Sequence, residues 1–143
     1  MCANCIACDE KPMPPRVVIV GLASCFGCQL QITNVESHLL EVLGQIDLTY
    51  WQLASSEPMP DDFDVAIIEG AVTTEESEAL VRELRSKAKA VVAIGACANT
   101  AGIPGMAAAD YRSRPTEVYA SVPEACGSMI APRSVPSVIS GPM

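Results

Sequence analysis

With 143 residues, half of them hydrophobic, the chain is long enough to bury one core and too apolar to stay disordered. Its net charge of −8 argues against nucleic acid or an anionic membrane surface as a partner. No apolar run reaches the ~18 residues of a membrane span, and no basic segment leads into an apolar one as in a secretory signal. The expected compartment is therefore the reducing cytoplasm.

Seven cysteines stand against one histidine, His38, and six aromatics (one Trp, three Tyr, two Phe). In a reducing compartment dense cysteine means metal or redox chemistry rather than disulfides. One histidine leaves little for mixed Cys/His zinc, makes a histidine general base improbable, and reads best as a solvated helix residue. Few aromatics argue against an organic-cofactor pocket. Iron–sulfur is the economical reading.

Residues 1–15 form a cysteine-rich N-terminal extension, and 16–143 form the folded domain. Cys2, Cys5 and Cys8 run as C-x2-C-x2-C, the first three ligands of the bacterial ferredoxin pattern. Pro12 occupies the place of the fourth. Three thiolates here could hold a second cluster, and the plain alternative is a reduced tail.

The segment Val17–Gly21 is β-branched and unbroken by polar groups, the mark of a buried parallel strand. A short loop follows, presenting Cys25 and Cys28. Gln29 to Leu43 carries Ile32, Val35, Leu39, Leu40 and Leu43 at helical spacing, and Gly44 is placed to stop that helix. Ile46–Leu53 reads as a second strand, with Tyr50 and Trp51 on opposite faces. Val65–Ile68 is a third strand, ending at Glu69-Gly70. Thr73-x-x-Glu76 offers a capping box for a helix to about Lys87, with Leu80, Val81, Leu84 and Ala88 inward. Ala90–Ile94 is a fourth strand, closed by the Gly-rich turn GACANTAG with Cys97. Residues 106–143 read mostly as loops, with Val135–Ile139 as one more short strand.

Strands alternating with helices predict an α/β fold: a flavodoxin-like open parallel sheet with helices on both faces. In such a sheet the carboxyl ends of the strands converge and hold the ligand. Cys25 and Cys28 leave the first strand, Glu69 ends the third and Cys97 follows the fourth. Each has a plainer reading. C-x2-C alone suits a thioredoxin-like redox pair, although that pair belongs at a helix start with no third cysteine nearby. Cys97 alone suits a small core residue, and Glu69 either caps a neighbouring loop or relays protons.

Three stretches, VGLASCFGCQLQITNVESHLLEVL, VAIIEGAVTTEE and VVAIGACANTAGIPGM, together resemble the small subunit of a cytoplasmic nickel–iron hydrogenase of the NAD(P)-linked or bifurcating type. More remotely they resemble the 20-kDa cluster subunit of respiratory complex I. The likeness covers about Arg16 to Met106. It implies that Cys25, Cys28 and Cys97 are three of the four ligands of a proximal [4Fe–4S] cluster, set at the carboxyl ends of the strands. It implies that Glu69 lies at the large-subunit interface. Glu36 falls near an acidic residue of such subunits, which usually stands where this chain has Leu30. The usual fourth ligand, in a C-terminal G-C-P motif, is missing from SVISGPM. Either Cys126 takes its place or the chain is shortened. The nickel–iron centre belongs to the partner large subunit, and electrons pass to a diaphorase-type, NAD(P)-reducing iron–sulfur flavoprotein module. The rival expectations are a complex I-like quinone oxidoreductase subunit, whose family has adjacent cysteines in place of Cys25 and Cys28, and a zinc-stabilised interaction module.

Overall fold

A computed structural model describes residues 13–113, 117 and 128–141. Cys2, Cys5, Cys8 and Cys126 lie outside them.

Strand β1 (Arg16–Gly21) opens the domain and sits inside the sheet. Helices α1 (Gly27–Thr33) and α2 (Glu36–Leu43) lead to β2 (Asp47–Trp51). Then come β3 (Val65–Glu69), β4 (Val72–Thr74), α3 (Glu75–Lys87) and β5 (Ala90–Ile94). Short helices α4 (Gly95–Thr100) and α5 (Gly102–Gly105) follow, and β6 (Met129–Arg133) and α6 (Val135–Ile139) close the described chain. Four parallel strands run in the order β2-β1-β3-β5, while β4 and β6 pair antiparallel beside them. This is the open parallel α/β sheet expected from the alternation of strands and helices.

The register explains the core. Val18 pairs with Ala66 and Ala66 with Val91, while Val20 pairs with Ile68 and Ile68 with Ala93. Side chains in register share a face. This face packs on Val81 and Leu84 of α3, Ala98 of α4, and Val135 and Val138 of α6. Val17 and Ile19, on the opposite face of β1, are buried too, which is why the strand reads as one continuous apolar run. That second face is covered less completely towards the edge, where Val92 of β5 is 43% exposed.

Three local expectations are corrected. The helix expected from Gln29 to Leu43 is two helices. The Thr33 hydroxyl donates to the Leu30 carbonyl at 2.7 Å, Asn34 N–H caps α1 on the same oxygen, and a new helix starts at Val35. Polar side chains that bond local backbone compete with helix propagation in this way. Leu40 is consequently exposed rather than inward. The capping box lies one residue later than expected: Ser77 N–H donates to Thr74 Oγ1 and Thr74 N–H to Ser77 Oγ. Val135–Ile139, expected as a strand, is helix α6. Ser134 Oγ accepts from Ser137 N–H, and Pro136 in the first turn suits a helix start while denying a ladder donor. Gly44 ends α2, and Val81, Leu84 and Ala88 are buried, as their spacing indicates. Among the described residues no helix is long and apolar enough to cross a membrane.

At the amino edge of the sheet, Asp64 ties three strands together. Its carboxylate accepts from Arg16 N–H at 2.8 Å and meets Lys89 Nζ at 2.8 Å. Its backbone donates to Arg16 O and accepts from Lys89 N–H. The Lys89 ammonium, then the Arg16 amide, hold the Asp64 carboxyl down at about 2, from an ordinary 3.8.

Two outcomes follow from this packing. Leu84→Ala, which empties a fully buried site, should cost about 2–5 kcal/mol in urea unfolding of the chain. A carboxyl lowered in the folded state adds stability that is complete above pH 3.8 and lost as pH falls towards 2. Asp64→Asn should therefore lower the urea midpoint at pH 7 and flatten its decline across that acid window.

Candidate metal centre

The site forms where β1, β3 and β5 end. Gly21, Glu69 and Ile94 are in register across the three strands, so the loops that follow leave side by side. Leu22 N–H donates to Glu69 O at 2.7 Å, and Ala23 and Ala71 exchange backbone hydrogen bonds. The loop after β1 is thereby stitched to the loop after β3. Ser24 Oγ accepts from Phe26 N–H, and Phe26 takes a left-handed conformation with φ 59°. The chain reverses there and enters α1 at Gly27. Cys25 is exposed just before the helix, and Cys28 is partly buried in its first turn.

Glu69 is the buried hinge of this arrangement, 1% exposed. Its Oε1 accepts from Cys28 N–H at 3.1 Å, joining residues 41 apart in sequence. Its Oε2 has no partner among the described residues. Burial pushes the Cys28 thiol up, and the Glu69 carboxylate and the charges of Cys25 and Cys97 push it the same way. The three cysteines and one carboxylate thus share one electrostatic neighbourhood. All three thiols are free.

Each sulfur lies against a glycine. A β-carbon at Gly95 would stand far inside van der Waals contact with Cys28 Sγ, and Gly95 takes φ +77°. One at Gly102, φ +46°, would stand 3.0 Å from Cys97 Sγ, and one at Gly27 would stand 3.3 Å from Cys25 Sγ. At Gly95 and Gly102, both at positive φ, any side chain would take away room for sulfur and backbone, while at Gly27 the Cys25 sulfur would have to give by a few tenths of an ångström.

The sequence-derived site residues divide cleanly. Cys25, Cys28, Cys97 and Glu69 come together at one sheet edge. Glu36 does not join them: it stands exposed in the first turn of α2, where a negative charge favours the helix end. His38 is a solvated helix residue facing Glu41. Two expectations change. The C-x2-C pair does stand at a helix start, so the third cysteine alone separates it from a thioredoxin-like pair. The GACANTAG turn is mostly helix, with Cys97 inside α4.

Sequence reading missed Gln29. Its side chain is fully buried, and its Oε1 accepts from Trp51 Nε1–H at 2.8 Å. The available signal was its place three residues before Ile32, on the helix face turned to the sheet.

The donor set fits iron–sulfur: three thiols on converging loops, sulfur-lining glycines and no disulfide among them. Among the described residues no group of three or more His, Cys, Asp or Glu side chains is arranged to hold a metal ion. A four-iron cluster takes one thiolate per iron, so its ligands need not point at a single centre.

The chain is 36% identical over 92 residues to a subunit of the F420-non-reducing hydrogenase vhu of Methanocaldococcus jannaschii, a match covering 64% of the chain and 32% of that relative. It is 29% identical over 91 residues to the NAD-reducing hydrogenase HoxS subunit delta of Cupriavidus necator, covering 64% and 44%. These matches span less than half the length of the relatives. A chain in the crystal structure of an NAD+-reducing NiFe hydrogenase in the H2-reduced state superposes with TM-score 0.76 at 24% identity, over 87% of this chain and 77% of that one, and so shares the fold. The family described as NADH ubiquinone oxidoreductase, 20 Kd subunit, matches residues 25–139, from the first thiol of the site to the end of α6. The chain belongs to that family.

Proposed function

We propose that the chain is the iron–sulfur electron-transfer subunit of a nickel–iron hydrogenase, with Cys25, Cys28 and Cys97 as three ligands of a [4Fe–4S] cluster. The observation that carries this reading is the glycine lining of the three sulfurs at one edge of the parallel sheet, around buried Glu69. The hydrogenase names of the relatives support the same assignment. When bound, such a cluster takes up and releases one electron at a time.

The chain's own residues supply ligation, orientation and exclusion of water. Glu69 fixes the backbone of Cys28, and Gly95 lets the β5–α4 turn close on the Cys28 sulfur. Cys126, outside the described residues, is the proposed fourth ligand. Cys2, Cys5 and Cys8, also outside them, are the proposed holders of a second cluster. Beside Cys97, Ile103 of α5 and Met106 just after it are 79% and 85% exposed. An apolar rim of this kind suits burial against a partner, here proposed as the large subunit that carries the nickel–iron centre. One relative is a subunit of an NAD-reducing hydrogenase, which suits the further proposal that electrons pass on to a diaphorase-type, NAD(P)-reducing iron–sulfur flavoprotein module in the cytoplasm. Of the two carboxylates considered for proton relay, Glu69 is the better supported, since it is buried beside a thiol while Glu36 faces solvent. The family's description keeps a complex I-like quinone oxidoreductase as the second reading.

The test is iron and acid-labile sulfide counted in the anaerobically isolated complex, with electron paramagnetic resonance of its reduced state. Cys97→Ser should remove one cluster's iron and its signal together with hydrogen-dependent dye reduction. Unchanged iron in that variant, or a colourless wild type holding zinc, would overturn the reading. Gly95→Ala should cut cluster occupancy and activity roughly tenfold or more, as loss of a ligand's supporting partner does. Gly44→Ala, at a right-handed position away from the thiols, should leave both intact.

A further inference from the structure

Two buried polar atoms at the site have no partner among the described residues: Gln29 Nε2, a donor, and Glu69 Oε2, an acceptor. They are complementary in chemistry, and the sheet sets them near one another. Gly21 and Glu69 are neighbours in parallel register, so the Glu69 side chain leaves the sheet on the face where Gly21 has none. The space above Gly21 is taken by α1: a β-carbon there would stand 2.8 Å from Gln29 Nε2 and would collide with the Phe26 ring. The orientation of the Gln29 amide is fixed by chemistry. Trp51 Nε1–H can only donate, so the amide oxygen faces Trp51 and the NH2 group faces Gly21, the register neighbour of Glu69.

We propose that Gln29 is a positioning residue whose amide closes a buried hydrogen-bond chain from Trp51 to Cys28. Trp51 Nε1–H donates to Gln29 Oε1. Gln29 Nε2–H is joined to Glu69 Oε2 across one enclosed water, which accepts from the amide and donates to the carboxylate. Cys28 N–H donates to Glu69 Oε1. The chain anchors the carboxyl to strand β2 through a rigid indole, so that Glu69 presents one fixed oxygen to Cys28. Left open, it strands a buried donor and a buried acceptor, each costly to leave unpaired. The effect on a cluster rests on the function proposed above, whereas the hydrogen-bond chain itself does not.

Trp51 is the single tryptophan of the sequence, so the full chain labelled with 15N-tryptophan gives one indole N–H signal. Glu69→Gln turns an amide donor towards either Cys28 N–H or the Gln29 NH2 group. It should speed Trp51 indole exchange roughly tenfold, although Glu69 does not touch Trp51 in the hydrogen bonds described. Gln29→Glu alone sets two carboxylates together and should do at least as much. The double variant Gln29→Glu/Glu69→Gln exchanges donor and acceptor, restores every bond of the chain and should return exchange to the wild-type rate. Where a single variant fails to fold, recovery of the fold in the double variant is the expected result. Wild-type exchange in Glu69→Gln, or no recovery in the double variant, would overturn the proposal. In the assembled complex, Gln29→Glu should move the cluster's midpoint potential to lower values, and the double variant should move it back. A wild-type complex without iron would instead defeat the functional reading and leave the indole result standing.

Discussion

A carboxyl group taken out of water is the constraint on which this site depends. Burial of Glu69 is costly unless hydrogen bonds replace its hydration. The backbone supplies one from Cys28, across 41 residues of sequence. That bond, with the Leu22–Glu69 and Ala23–Ala71 backbone bonds, forces the loops after β1 and β3 to share one geometry. Two thiols in a short loop could otherwise take many arrangements. Tied to the end of a central strand, they take one.

The parallel sheet supplies the second requirement, which is convergence. Cys25 and Cys28 are separated from Cys97 by about seventy residues, yet the ends of β1, β3 and β5 are consecutive in space. Register alone brings them to the same edge, and it leaves the details to the turns. Those turns use left-handed backbone at Phe26, Gly95, Ala101 and Gly102. At Phe26 and Ala101 the conformation costs on the order of 1–3 kcal/mol each, the sort of strain that functional turns retain. The opposite edge has a different task. Asp64, Arg16 and Lys89 join the strand starts there by charge, and the thiol edge is left to glycine, sulfur and one carboxyl.

Much of this frame was legible in the sequence, for reasons that can be traced to residues. Val17–Val20 announced a strand because both its faces are buried, which removes polar interruptions. Val81, Leu84 and Ala88 announced the inner stripe of α3 because that helix packs on one side of the sheet. The convergence of Cys25, Cys28, Glu69 and Cys97 followed from strand order. The misplaced helix boundaries share a cause: they fall where hydrogen bonds to side chains, rather than hydrophobic spacing, decide the backbone. Thr33 ends α1 and Ser134 starts α6 through hydroxyl groups that periodicity does not register. The pairing of β4 with β6 was missed because it joins three residues to a segment more than fifty positions away.

Gln29 shows why the remainder could not be read. Its place three residues before Ile32 sets it on the inner face of α1, but that spacing does not tell that a polar side chain there is fully enclosed. Its burial depends on Gly21 having no side chain, on Trp51 standing in register with Ile19 one strand away, and on α1 starting at Gly27. These are three separate facts, and each is local in a different part of the chain. Only their superposition in space turns a commonplace polar residue into a fully enclosed amide with one committed face and one open face. Sites built on a sheet edge distribute their information in this manner: the ligating atoms are conspicuous in sequence, and the groups that hold them become visible only when neighbouring strands are laid side by side.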